Sequence, residues 1–520
     1  MSNDQIIIGV DSSTSATKVI AFDMNGKILA MGANGYPLYH DKPGWVEQDP
    51  SDWWTAFVKG CKQVMSDPNV DPSKIAGLGL THQRFTFVPV DNQVNPLRRA
   101  ILWNDIRCAE QAAYAEKVVG SKKIFERTGY PPGQWTLYKL LWLKDNEPEL
   151  YERIYKLVLV QDYLIYKLTK NLVTLEGAGT MTGALDISKP SQWATDIIDA
   201  LGVRSDVWIS KILPGGTVAG KVTKEAAAET GLPEGLPIVT GAGDQPCGTL
   251  GAGVILPGEI AINGGTSCTN EFVSKGLPAR DDVNYFIEIS PSGEYIVENY
   301  ITSGGSALMN WYKDNFGYWE VTEAEKDGRS VYEIIYNQAG EAGTGNRGMM
   351  LVPYFQGANG PYWDLNARGM VVGMSNQTGR PEMVRGIIEG LAYESRMEAE
   401  FMEKGTGTEV TRIKMYGGSA KSDYWNQIFC DVFNKPLTVP DTPETTSLGA
   451  AIAAAVGCGV FPDYQSCLKS MVRDKKSYSP EPKNVEIYNK YYNRVYKKLF
   501  QSVQEHMSEV ARINQEIDGK

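Results

Sequence analysis

Short apolar runs separated by polar turns open the chain and predict strands. Residues 6–10 form the first run and end in the polar stretch 11–17. Residues 18–22 form the second, and an Asn25-Gly26 turn leads to a third over residues 27–35. Apolar runs joined by short polar turns are the pattern of hairpins, so the chain is expected to start antiparallel. From residue 52 to about residue 65 the apolar positions shift to helical spacing, with Ser51 or Asp52 placed to cap the helix. A further strand is expected over residues 75–80, ending in the polar cluster Thr81, His82, Gln83 and Arg84.

That order returns later in the chain. Residues 259–263 read as a strand that ends in Gly264, Gly265, Thr266 and Ser267, with further strands over 269–273 and near 285–289 and 295–300. A long helical stretch from Pro381 to about Glu403 leads to a strand over 412–416, which ends in Gly417, Gly418 and Ser419. Two strand pairs around Gly/Ser/Thr turns predict two similar lobes, placed at residues 1–250 and 251–520. The length of 520 residues, more than one hydrophobic core usually serves, agrees with that division. The tail beyond Tyr478 carries a charged helical pattern and is expected on the surface.

Composition then removes several classes of function. With 51 Lys+Arg against 62 Asp+Glu the net charge is -11, so no nucleic acid or anionic membrane is expected as a partner, because both call for a basic face. The longest weakly polar run, residues 449–462, is too short to span a bilayer, and residues 1–5 lack the basic start of a secretory signal. A cytoplasmic protein is the expectation. Seven cysteines without a C-x-x-C pair predict buried, reduced thiols rather than a zinc site or a disulfide framework. Only His40, His82 and His506 are histidines, which excludes a His-rich metal centre and leaves acid–base work to carboxylates.

Four turns carry candidate chemistry. Ser13, Thr14 and Ser15 follow Asp11 where the first strand ends; small hydroxyl residues with free backbone N–H groups form an anion-binding concavity. Asp11 at its lip would offer a Mg²⁺ an oxygen ligand. The plain alternative, a polar hairpin turn, loses weight because Gly264, Gly265, Thr266 and Ser267 repeat the arrangement in the second lobe. Gly243, Asp244 and Gln245 follow a strand over residues 237–240 and precede a small-residue helix, a good position for a general base. Asp244 would otherwise be read as a helix cap. Gly417 and Gly418, with Ser422 and Asn426 beyond them, could let an adenine ring lie against bare backbone, or simply make a tight strand-to-helix turn. Residues 343–348 match G-x-G-x-x-G, but a strand-like run follows where that fingerprint needs a helix, so a loop is expected and a NAD-dependent dehydrogenase is not. Residues 376–378 fit a glycosylation acceptor of no consequence without a secretory signal. No P-loop sequence occurs.

Taken in order, these residues resemble the FGGY carbohydrate kinases. The resemblance rests on Gly9, Val10, Asp11 and Thr14; residues 45–50 (WVEQDP); residues 100–107 (AILWNDIR); residues 139–142 (KLLW); Gly243, Asp244 and Gln245; the turn 264–267; Gly417, Gly418 and Ser422; and residues 447–450 (SLGA). It implies an α/β fold of two ribonuclease-H-like (actin-like ATPase) lobes with the active site in the cleft between them. The lobe 1–250 would be the sugar-binding side and 251–520 the adenosine-binding side. It implies that Asp244 is the catalytic base, that Asp11, with Asp244, holds Mg²⁺, and that Ser13, Thr14, Ser15, Gly265 and Thr266 cradle the phosphates. Gly417, Gly418 and Ser422 would meet the rest of ATP. Gln83, Arg84, Phe85, Trp103, Asp105, Asp244 and Gln245 would line the sugar pocket. Family members often form dimers, so a homodimer is the implied assembly, although no interface pattern is visible.

Residues 45–50 and the ILWND stretch are most similar to xylulokinases, which makes D-xylulose the first substrate expected. Glycerol, ribulose, gluconate, erythritol and autoinducer-2 are the alternatives. Two positions depart from the family. Ser13 stands where Gly is usual. Gln83-Arg84-Phe85 agrees with glycerol kinases at the Arg and with neither branch at Phe85, so one substrate hydroxyl is expected to be absent, moved or left in water. A non-catalytic nucleotide-binding regulator on the same fold is the reading from another class, and a carboxylate at Asp244 speaks against it.

Overall fold

The first apolar run continues two residues further than its hydrophobicity suggests. In the computed structural model, which describes residues 4–517, β1 spans Ile6–Ser12 and is buried throughout except at Asp11. Both faces of the strand are covered, which is why it reads as unbroken apolar sequence. Ile6, Ile8 and Val10 join one core with Trp53, Phe57 and Cys61 of α1 (Pro50–Met65). Ile7 joins a second core with Leu448, Ala451 and Ile452 of the helix Thr445–Gly457. β1 pairs antiparallel with β2 (Ala16–Asp23), and β2 with β3 (Ile28–Gly35), the hairpins the sequence predicts. α1 starts earlier than expected. Pro50 opens it, where its missing N–H costs nothing, and Asp49, rather than Ser51 or Asp52, caps it by accepting the Ser51 N–H.

Further along come β4 (Ile75–His82), β5 (Val218–Lys221) and β6 (Pro237–Gly243). The six strands lie in the order β5-β6-β4-β1-β2-β3, with β6, β4 and β1 mutually parallel. They belong to a unit made of the chain up to Ile255 together with Ser274–Ile296 and Glu444–Arg473. The helix Thr445–Gly457 reaches this sheet almost backbone to backbone. A Cβ added at Gly9 would stand 1.9 Å from Ser447 O, and one at Gly79 would stand 1.9 Å from Ala450 O. On the same helix, a Cβ at Gly449 would stand 1.8 Å from Cys247 O of α2 (Asp244–Gly251). The small residues of SLGAAIAAA are therefore a packing requirement of this unit. All seven cysteines are free thiols, six of them buried and Cys458 partly so.

The second unit comprises Leu256–Val273, Val297–Pro443 and the chain from Asp474 onward. β7 (Glu259–Gly264) and β8 (Cys268–Val273) form a hairpin, and β9 (Arg412–Tyr416) runs parallel to β7. β10 (Leu437–Pro440) is parallel to β9, and β11 (Asp474–Tyr478) closes that edge antiparallel. The stretch 343–348 is a turn followed by the strand Met350–Val352, not a fingerprint opening a helix. Among the described residues no helix is long and apolar enough to cross a membrane.

The tail lies largely at the surface, as expected, but one stripe of it is buried. Its charged helix, Pro482–Tyr491, continues into a π-helical turn, Tyr492–Tyr496, and Tyr488, Tyr492, Tyr496 and Phe500 are all buried. Tyrosines at four-residue spacing mark the buried stripe that the surrounding charges hide. They dock on α3 (Arg380–Thr406): Tyr488 donates to Glu389 at 3.0 Å, and Tyr496 donates to Glu394 at 2.9 Å. Tyr354 also donates to Glu394, at 2.7 Å. Burial raises the Glu394 carboxyl from 4.5 to about 7 against these hydroxyls. Glu398, itself raised by burial and by the Glu394 charge, lies one turn along, and Glu389 is paired with Arg385. A carboxyl whose pKa is raised by folding stabilises the fold at low pH and loses that contribution as pH climbs from about 4.5 to about 7. Glu394→Gln is expected to remove up to about 3 kcal/mol of that decline. Chemical denaturation at stepped pH measures it, and an unchanged slope would refute it.

Candidate active site

Three parallel strands of the first unit end side by side. The register sets Asp11 beside Thr81 and Ser12 beside His82, and sets His82 beside Gly243. Ligands of α/β sheets gather beyond the carboxyl ends of parallel strands, where loops diverge and backbone N–H groups are free. A register shift in β6 between Thr240 and Gly243 accompanies this end of the strand, and Thr81 Oγ1 ties it down by donating to Ala242 O at 2.9 Å. Asp244 then opens α2 as its first residue, with Gly243 in the capping position. The helix-cap reading of Asp244 is therefore replaced: its Oδ1 accepts the Gln245 N–H at 2.8 Å and faces Arg84 Nε at 3.3 Å. With 28% of the side chain exposed, a ligand can reach it. Desolvation raises its pKa, and the Arg84 charge opposes that shift.

Asp11 is the second carboxylate of this strand end. Its Oδ1 is buried and has no hydrogen-bond partner. Desolvation, then the Asp244 charge, pushes the group up to about 8, with Lys18 pulling it down. Lys18 is itself bound to Glu444 at 2.7 Å. Such a carboxylate calls for a cation, and an all-oxygen donor set suits Mg²⁺.

The turn after β1 is held from several sides. Ser13 Oγ donates to Ala16 O at 2.9 Å, and Ser13 O accepts the Tyr36 hydroxyl. Thr14 O accepts from Gln48 Nε2 at 2.6 Å, and Thr14 Oγ1 accepts the Trp103 ring N–H at 2.9 Å. Ser15 is exposed at the tip. Trp103, 42% exposed, thus joins the expected sugar wall to the expected phosphate turn.

Not every residue expected in the sugar pocket faces outward. Gln83 is buried; its Nε2 donates to Gln48 Oε1 at 2.8 Å and its Oε1 accepts from Thr86. Asp105 is fully buried, and its carboxylate accepts four hydrogen bonds: from Val46 N, from Arg107 N, and from Arg107 Nε and Nη2. A carboxylate has about four acceptor sites, so Asp105 has none left for a sugar and instead pins the loop that carries Trp103. Phe85 takes a left-handed backbone, φ 58°, and packs its ring 4.6 Å from Trp135 and 5.7 Å from Tyr130. Thr136 Oγ1 holds the Phe85 carbonyl at 2.9 Å, which helps fix an unfavourable conformation. His82 is buried with neither ring nitrogen bonded; burial and the nearby Arg84 lower its pKa to about 3, so it stays neutral.

Four neighbours escaped sequence reasoning. Gln48 links Gln83, Thr14 and the Trp53 ring N–H, and its place inside WVEQDP was the available signal. Glu288 binds Arg84 Nη1 at 2.5 Å and accepts the Tyr130 hydroxyl. Its signal is a charge in the apolar strand Phe286–Ile289. Tyr130 and Trp135 carry no signal beyond aromaticity.

The second unit repeats the motif. β7 and β9 end side by side, with Asn263 beside Tyr416. The turn 264–267 leaves Thr266 exposed and is braced by Ser306 N and Gly305 N, which donate to Gly265 O and Thr266 O. Gly417 has φ 85°, and a Cβ there would lie 2.5 Å from Asn263 Oδ1 and 3.0 Å from Gly265 N. At Gly418 a Cβ would meet only Gly264 O, at an ordinary contact distance of 3.8 Å. Ser422 caps α4 (Asp423–Phe433), its hydroxyl accepting the Trp425 N–H at 3.3 Å. The structure therefore brings the two glycine turns of this unit together at one strand end.

Residues 6–251 match the N-terminal domain of the FGGY family of carbohydrate kinases, and residues 260–458 match its C-terminal domain. The chain is 30% identical over 505 residues to the xylulose kinase of Staphylococcus epidermidis, covering 96% of this chain and 97% of that one. Among solved structures it superposes on a gluconate kinase from Lactobacillus acidophilus (TM-score 0.88, 26% identity, 97% and 99% coverage). It superposes equally well on a ligand-bound xylulose kinase from the same organism (TM-score 0.88, 26% identity, 97% and 100% coverage). The chain belongs to the FGGY family of carbohydrate kinases, enzymes of mixed α/β two-domain fold that phosphorylate sugars with ATP.

Proposed function

We propose that this kinase transfers the γ-phosphate of ATP to a hydroxyl of a small ketose or polyol, with D-xylulose as its first substrate. The observation that carries the reading is Asp244: an accessible carboxylate at a strand end, anchored through Oδ1 by Gln245 N–H and Arg84. That anchoring leaves Oδ2 to take the proton from the attacking sugar hydroxyl as the oxygen closes on phosphorus. Arg84, Trp103 and Gln245 orient the sugar, and Asp105 and Gln83 act behind them by fixing the loop and the turn. Ser13, Thr14 and Ser15 in residues 1–250, and Gly265 and Thr266 in residues 251–520, bind phosphate oxygens. Gly417 and Gly418 offer bare backbone to the adenosine, with Ser422 beyond them. Asp11, with Asp244 nearby, would hold Mg²⁺, which supplies charge neutralisation on the phosphates. A cytoplasmic location goes with the use of ATP.

A coupled ADP-release assay with Mg-ATP tests this over xylulose, ribulose, xylitol, erythritol, glycerol, gluconate and autoinducer-2. The expected result is the highest kcat/KM on xylulose, with one ADP released per sugar phosphorylated. Silence on every compound while ATP still binds would overturn the reading in favour of a nucleotide-binding regulator.

A further inference from the structure

Arg84 is the cation nearest Asp244, and its charge is shared by two carboxylates. Nε faces Asp244 Oδ1 at 3.3 Å while Nη1 meets Glu288 Oε1 at 2.5 Å. The Glu288 side chain is completely buried and the Arg84 side chain is 13% exposed. Glu288 is held in place in turn by the Tyr130 hydroxyl on Oε1. The Tyr130 ring stacks on Phe286 at 5.0 Å and meets Phe85 edge-on. The other two cations tied to this loop are committed as well. Lys139 is buried with Nζ on Leu102 O and Trp103 O, and Arg107 is bound to Asp105 and Glu47.

We infer that Glu288 sets the charge class of the sugar, cancelling Arg84 so that neutral ketoses and polyols enter and sugars bearing a carboxylate do not. The inference rests on the sugar-kinase reading of this site and adds the substrate's charge to it. With Asp244 ionised, one guanidinium between two carboxylates leaves a net negative cluster, and the buried carboxyls of Glu271 and Glu298, within 4.8 Å of that of Glu288, add no positive charge to it. A sugar carboxylate brought there would lose its water and meet an Arg84 charge already shared by Asp244 and Glu288, which is a repulsive way of achieving specificity. A neutral sugar fares differently. It brings no charge to the cluster, so the shared guanidinium can still donate to one of its hydroxyls without a competing repulsion. Glu288 acts through Arg84 and is a positioning residue, not a group that reacts.

The test compares D-xylulose with D-gluconate in the wild type, in Glu288→Gln, in Glu288→Asp and in Glu288→Gln combined with Arg84→Met. The wild type is expected to prefer the neutral sugar, and gluconate in large excess should not compete with it. Glu288→Gln should raise kcat/KM for gluconate relative to xylulose by about tenfold or more, through KM for gluconate. Glu288→Asp should keep the wild-type ratio, and the double variant should lose the gain. Calorimetric binding of gluconate without ATP should show the same order. An affinity shift without turnover would support the gate and count against the catalytic reading of Asp244. Turnover with an unchanged ratio in Glu288→Gln would overturn the gate. Tight gluconate binding by the wild type would overturn it too, whether or not any variant folds.

Discussion

Replacing Asp244 by Asn is expected to lower kcat by roughly 10²- to 10⁴-fold, the usual contribution of a positioned general base. The substitution is nearly isosteric, and the remaining carbonyl oxygen can still accept the Gln245 N–H that now binds Oδ1 at 2.8 Å. What disappears is the negative charge and the ability of Oδ2 to take a proton. Arg84 keeps its stronger partner, Glu288 at 2.5 Å, so the pocket should hold its shape and KM for the sugar should move little. Turnover at saturating sugar and Mg-ATP reads the loss. Circular dichroism and calorimetric ATP binding establish that fold and nucleotide site persist. A variant within tenfold of wild-type kcat would mean that the proton leaves by another route.

Strand positions were easier to read than strand ends. The hairpins of β1–β3 and the strand Arg412–Tyr416 follow from apolar runs bounded by turn residues. β1, β4 and β6 each run two or three residues past their apolar stretch, into Asp11, Thr81 and Ala242. Hydropathy stops where side chains turn polar, whereas a ladder continues as long as neighbouring backbones can pair. Those extra residues include Asp11, and in β6 they lead directly into Asp244. The buried stripe of the tail went unseen for a related reason. Tyr488 and Tyr496 bury with Glu389 and Glu394 of α3 as acceptors, a tertiary fact that no local pattern contains.

The two reactive-looking carboxylates, Asp11 and Asp244, were visible as single residues because Asp11 opens a hydroxyl-rich turn and Asp244 follows a glycine-rich one. Their surroundings were not. Asp105 sits in a motif that resembles the sugar-pocket stretch of kinases, yet four donors fill its acceptor sites. Sequence spacing tells which loop a carboxylate is on but not how many donors converge on it. Phe85 shows the same limit. Its identity alone says nothing of the left-handed backbone that packs the ring against Trp135 and Tyr130. Glu288 lies 204 residues from Arg84 and was out of reach of any local pattern.

Gly449→Ala separates two physical effects of opposite sign. Gly449 lies inside the helix Thr445–Gly457, where helix propensity alone favours Ala by about 1 kcal/mol. Packing argues the other way, because the new Cβ would stand 1.8 Å from Cys247 O and 2.7 Å from Cys247 C. Both are backbone atoms of α2, so no side chain can swing aside, and one helix must move off the other. Overpacking of a well-filled core costs about 1–3 kcal/mol when side chains can adjust; with two backbones in contact the loss is expected to exceed about 3 kcal/mol, well beyond the propensity gain. The same displacement reaches the chemistry, since α2 begins at Asp244. Urea denaturation should therefore show the variant destabilised, and the fraction that still folds should turn over more slowly than wild type. A stabilised variant would mean that propensity outweighs the contact and that α2 is free to shift without disturbing its first residue.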